Sequence, residues 1–159
     1  MSPAKAQASR CFFPTDEEDS QKPEGEAPAM YTVTVRTHLM VAHSLPADYF
    51  GPAAGLHGAT YVVDVEFSTR RLNQYNVVID MGVAEGLAKE VAALLNYKNL
   101  DDYEPFRGQL TTTEFLAHFF HTQMSQRLAG QFEGSLKITL HESHIASASY
   151  AGDLPTKSS

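Results

Sequence analysis

Four polar side chains fall where alternating apolar rows would place more hydrocarbon. Counting in twos along Tyr31, Val33, Val35, Leu39 and Val41 leads to His43, and counting back from Tyr61 through Ala59 leads to His57. The row Leu136, Ile138, Leu140 continues to Glu142 and then His144, which shares that parity. Residues two apart in a strand share a face, so two imidazoles and a carboxylate should leave the buried face together at the strand ends. Such a set suits a metal site or an acid–base site. Taken singly, each also suits an ordinary strand end, with the imidazole satisfied by backbone.

Further candidates carry weaker patterns. His118 and His121 lie three apart in a helical segment and can share a face as metal ligands do. Phe115, Leu116 and Phe119 around them favour reading both as surface or helix-edge histidines. His38 and His141 have the opposite strand parity and read as structural or intersubunit residues. Tyr49 and Phe50, ahead of Gly51 and Pro52, suit either a pocket wall or a loop anchor.

The elements that must position these residues are legible from periodicity. Tyr31 to Val41 and Tyr61 to Phe67 alternate as half-buried strands, joined by a Pro- and Gly-containing loop over 44–56 and paired antiparallel. Asp80 is placed to cap a helix running to about Leu95, with Ala84, Leu87, Val91 and Leu94 at helical spacing. Thr111 and Glu114 have capping-box spacing and predict a second helix to about Ala129. Leu136, Ile138 and Leu140 form a third strand, and Ile145 to Tyr150 can return as its hairpin partner. The expected fold class is α+β: a four-stranded antiparallel sheet, order β-β-α-α-β-β, with two helices on one face.

Residues 1–29 contain Pro3, Pro14, Pro23, Pro28 and the acidic run from Asp16 to Asp19, without apolar periodicity, and are read as a disordered tail. The domain is expected over 30–151, with a loose end over 152–159 and Met30 as a candidate natural start. The whole chain has 159 residues, 43% hydrophobic and 19% charged, which fits one globular domain. One cysteine, Cys11, excludes disulfides and cysteine-rich zinc sites, so any metal must use His or carboxylate. A net charge of −7, with basic residues scattered, argues against a nucleic-acid backbone as partner. No apolar run is long enough to span a bilayer and no signal-peptide pattern opens the chain, so a cytoplasmic location and no membrane partner are the expectations.

Five landmarks resemble the 6-pyruvoyl-tetrahydropterin and 6-carboxytetrahydropterin synthase family: Val41-Ala42-His43-Ser44, Leu56-His57-Gly58-Ala59-Thr60-Tyr61, Asn96-Tyr97-Lys98-Asn99-Leu100-Asp101, Thr112-Thr113-Glu114 and Leu140-His141-Glu142-Ser143. The resemblance covers about residues 31 to 150. It implies a tunnelling fold, in which subunits join their sheets into a homotrimeric ring or a stacked homohexamer, with sites between subunits. It also implies a pterin-like substrate, anchored by a carboxylate at Glu142 with contacts at Thr112, Thr113 and Glu114. A carboxylate suits that task because it accepts two adjacent N–H groups at once.

In the family three histidines hold zinc. His43 and His57 match two of them, whereas Ala59 stands at the third. The family's catalytic cysteine has no counterpart from Tyr31 onward, and Asn96-Tyr97 replaces its Asp-His pair. Asn carries no titrating carboxylate, and a phenol titrates near ~10. Two readings follow. One is a divergent lyase or cyclase on a pterin or related heterocycle, possible zinc sitting at His43 and His57, with His144, Tyr97 and Asn96 at the reaction centre. The other is a non-catalytic protein that binds a pterin- or purine-like ligand, or serves assembly, after losing the chemistry.

Overall fold

β-branched and aromatic residues at every second position turn two thirteen-residue stretches into long strands, β1 (Tyr31–His43) and β2 (His57–Thr69). A computed structural model describes residues 29–154; all but Ala29 of the expected tail, and residues 155–159, lie outside the described residues. β1 and β2 pair antiparallel along their whole length, from Tyr31 opposite Thr69 to His43 opposite His57. β4 (Gly134–His141) joins β2, and β5 (Ser147–Leu154) joins β4, both antiparallel.

The expected four strands are present, and a fifth adds to them. β3 (Lys98–Asn99) runs parallel to β1 at Val41 and Ala42, giving the order β3-β1-β2-β4-β5 and a mostly antiparallel, mixed sheet. Two residues carry no alternation to read, and β3 exists only because the chain leaving a helix is pinned against Met40. β5 also extends to Leu154, which is buried, so residues 152–154 belong to the sheet and not to a loose end. Its alternation is masked by small residues: Ala148 and Gly152 face the helices yet carry little hydrocarbon.

α1 (Met81–Ala93) begins at Asp80, whose carboxylate accepts from the backbone N–H groups of Gly82 and Val83 at 2.8 and 3.1 Å. It ends two residues earlier than Leu95 and buries Ala84, Ala88, Val91 and Ala92. α2 (Thr113–Leu128) buries Leu116, Ala117, Phe120, Met124 and Leu128. Its cap is Thr112 and not Thr111: the Thr112 hydroxyl accepts from Phe115 N at 3.2 Å. In a run of three threonines the spacing rule cannot choose among them, and packing moved Thr111 inward.

Both helices lie on the sheet face that carries Leu39, Val63, Val65, Phe67, Leu136, Ile138 and Leu140, all fully buried. Each such side chain contributes roughly 1.5–3 kcal/mol on leaving water. The other face carries Arg36, His38, Asp64, Glu66, Lys137 and His141 and has no covering layer among the described residues. The 44–56 loop contains a 3-10 stretch, Asp48–Ala54, tied back by Leu45 N–H to Ala53 O at 3.0 Å.

Candidate functional site

The antiparallel register sets His43 and His57 directly opposite each other at one end of the sheet, with ring centroids 4.6 Å apart. His43 is 2% exposed. Its Nδ1 lies 3.0 Å from both the carbonyl and the hydroxyl oxygen of Thr111. The Nδ1 of His57 lies 2.9 Å from Gly55 O. A carbonyl oxygen only accepts, so both Nδ1 atoms donate and both Nε2 atoms keep a lone pair. This is the orientation that backbone partners impose on metal-binding histidines. Burial pushes the His43 imidazole below its ordinary titration range, and His57 adds to this, while Thr111, Asp101 and Glu142 oppose it.

Two imidazoles do not complete a metal site. Ala59 follows His57 on the same face and offers only a methyl group. Among the described residues, no three His, Cys, Asp or Glu side chains come together to hold an ion. The described residues of one chain therefore offer two of the three protein ligands of a catalytic zinc site.

Beside the histidines, the Thr113 hydroxyl donates to Glu142 Oε2 at 3.0 Å, joining the start of α2 to the turn after β4. Burial raises the Tyr61 phenol above its ordinary range; hydrogen bonding to Thr113 opposes this, and Glu142 and Glu114 add to it. The Ser44 N–H and hydroxyl both donate to the Asp101 carboxylate, at 3.0 and 2.7 Å. His43, Tyr61, Thr113 and Glu142 thus share one electrostatic neighbourhood. The exposed Glu142 carboxylate faces a partly buried donor, an arrangement suited to accepting N–H groups from a ligand.

The remaining predicted residues separate. Thr112 is spent on capping, and Glu114 is exposed in the first turn of α2. Asn96 Oδ1 accepts from Met40 N at 2.8 Å, and Tyr97 N–H donates to Met40 O at 2.7 Å. Tyr97 is 80% exposed, in the left-handed region with φ of 62°. His144 does not share the strand face of Glu142. β4 ends at His141, Glu142 N–H and Ser143 N–H both donate to Ala146 O, and His144 sits in this turn. It still lines one cavity with Glu142, together with Arg36, Thr60 and His141. The turn breaks the two-residue period that the sequence rule extrapolates.

His118 and His121 share Tyr150 as a packing partner. His121 is buried, its Nε2 3.4 Å from Gly152 O, and both rings pack on Tyr150 at 4.5 and 4.9 Å. Tyr49 is 90% exposed and meets Phe50 edge-on at 5.2 Å. Sequence reasoning missed Thr111 as the partner of His43, Tyr61 as more than core, and Asp101. It read His141 only as a structural or intersubunit residue, although shared parity of Arg36, Asp64 and His141 was available as a signal.

The family model described as 6-pyruvoyl tetrahydropterin synthase matches residues 32–153. The 6-carboxy-5,6,7,8-tetrahydropterin synthase of Bacillus subtilis (strain 168) is 27% identical over 99 residues, 60% of this chain and 66% of that protein, just under two thirds of its length. The solved 6-pyruvoyl tetrahydropterin synthase of Caenorhabditis elegans shares the fold with a TM-score of 0.69 at 19% identity, covering 78% of this chain and 96% of that one. The Plasmodium vivax structure of the same name gives 0.66 at 15% identity, covering 79% and 99%. No helix among the described residues is long and apolar enough to cross a membrane.

Proposed function

The chain belongs to the 6-pyruvoyl tetrahydropterin synthase family, and from that membership we propose that it binds a pterin or related heterocycle at Glu142 and performs lyase- or cyclase-type chemistry beside it. The observation that carries this reading is the Thr113–Glu142 bond of 3.0 Å, which presents an oriented carboxylate next to His43. Glu142 accepts the adjacent N–H groups of the ring's pyrimidine edge, and Thr113 fixes the carboxylate so that little orientation is lost on binding.

Among the described residues the hydrogen bonds of His43 and His57 engage Nδ1, and their Nε2 atoms are left to supply lone pairs to the bound side chain of the ligand. Zinc belongs to this reading only as a weak guest of those two nitrogens, and no step is assigned to it. Tyr97, exposed just before β3, and His144, exposed in the turn after β4, are the candidate acid–base groups, while Asn96 acts by holding Tyr97 against β1. We place the working unit as a homotrimer or homohexamer, because the exposed β3 and β5 edges and the uncovered sheet face invite pairing between copies.

The test is binding of 7,8-dihydroneopterin to wild type and to Glu142→Gln, followed by product analysis with a phosphorylated dihydropterin. Saturable binding that is markedly weakened in the variant, with turnover in the wild type, supports the reading; unaltered affinity in the variant overturns it. A second reading, binding without turnover, is favoured by the engagement of Asn96 with Met40 in place of an acid. Binding with no product under the same conditions would select it.

A further inference from the structure

On the uncovered sheet face three strands bring Arg36, Asp64 and His141 into contact. Arg36 Nε and Nη2 donate to Asp64 Oδ1 and Oδ2 at 2.6 and 2.8 Å. The same Oδ2 lies 3.0 Å from His141 Nε2. Arg36 and Asp64 face each other across β1 and β2, and His141 reaches in from β4 one step along. The Asp64 side chain is 18% exposed. The hydrogen bond from Arg36 holds its carboxyl below the ordinary range; burial opposes this, and His141 adds to the lowering.

An ionised carboxylate can only accept, so Nε2 of His141 carries the proton and Nδ1 keeps its lone pair. Orientation of an imidazole by a carboxylate on one nitrogen leaves the other nitrogen free to act as a base. A plain Arg–Asp surface pair has no need of the third group. His141 also lines a cavity of about 320 Å³ that it shares with Arg36, Thr60, Glu142, Ser143 and His144. The turn after β4 therefore brings two neighbours of opposite parity, His141 and Glu142, to one opening.

We propose that His141, oriented by Asp64, is a proton acceptor for the heterocycle anchored at Glu142, with Asp64 and Arg36 as positioning residues. The inference rests on the ring-binding reading given above. In the step, a proton leaves an O–H or C–H of the ligand for Nδ1, and the electron pair of that bond stays on the ligand. The imidazolium is stabilised by the Asp64 carboxylate until it returns the proton to the ligand or to water. Asp64 and His141 thus form an Asp–His pair contributed by two strands, on the sheet face away from the helices.

The experiment uses the full chain labelled uniformly with 15N, with backbone amide spectra to follow Glu142 and two-bond 1H–15N spectra, which report the tautomer of each ring. His141 is expected in the Nε2–H form, shifting toward Nδ1–H in Asp64→Asn and restored in Asp64→Glu. Saturating 7,8-dihydroneopterin should move the His141 Nδ1 resonance together with the Glu142 amide. A wild-type ring in the Nδ1–H form overturns the assignment without any variant having to fold. A ligand that moves the Glu142 amide and leaves His141 Nδ1 unchanged overturns it while sparing ring binding. A ligand that moves neither overturns both.

Discussion

The side-chain oxygen of Asn96 accepts the backbone N–H of Met40 at 2.8 Å, while the N–H of Tyr97 donates to the carbonyl of that same residue at 2.7 Å. One residue of β1 is thus gripped on both its polar groups, and this grip starts β3. Asn96→Ala leaves Met40 N–H without that partner and should cost about 1–2 kcal/mol in urea unfolding. Asn96→Asp keeps an acceptor in place and should stay close to wild type. Equal stability of the Ala variant would show that the bond contributes nothing to the fold.

Glu142→Gln preserves size but replaces one of the two acceptor oxygens with a donor. Bonds to a charged partner contribute roughly 1.5–3 kcal/mol, so affinity for 7,8-dihydroneopterin should fall about 10- to 150-fold by titration calorimetry. Thr113→Val removes only the neighbour that orients the carboxylate at 3.0 Å, and a loss of about 3- to 10-fold is expected. A larger effect at Thr113 than at Glu142 would reverse their assigned roles.

Ala59 stands on the face of His43 and His57, two residues from His57 along β2 and opposite Val41. Ala59→His should therefore raise zinc affinity, on the order of 100-fold, and elemental mass spectrometry should find near-stoichiometric metal where wild type retains little. His43→Ala in the Ala59→His background should lose it again. Stoichiometric zinc in the unaltered chain, insensitive to His43→Ala, would show that other residues hold the ion.

His121 is neutral in its site because burial pushes its imidazole below the ordinary range, with His118 adding to this and backbone bonding at Gly152 and Leu136 opposing. The unfolded chain binds a proton at ~6.5, so it binds more protons than the folded chain as pH falls through that value. Stability should be full above ~6.5 and decline steadily below it, down through the lower folded value. His121→Gln should flatten that part of the profile in thermal melts from pH 7.5 to 5; an unchanged slope would assign it to another group.

Much of this protein was determined by the sequence alone. Alternation over 31–43 and 57–69 set both long strands and their faces, and the Asp80 cap set the start of α1 within one residue. Because the period of a strand is two, those faces carried His43 and His57 to the same side without any knowledge of the fold. Relations between elements were decided only by the tertiary structure. Which of three threonines caps α2 depended on His43 drawing Thr111 inward, and the two-residue β3 depended on Asn96 meeting Met40. His144 left its predicted face because a turn ends the strand period at His141. Arg36, Asp64 and His141 shared a parity in the sequence, but only the register of β1, β2 and β4 made them touch. Local periodicity fixes which way a side chain faces; whom it meets is set by strand pairing and packing, which are non-local.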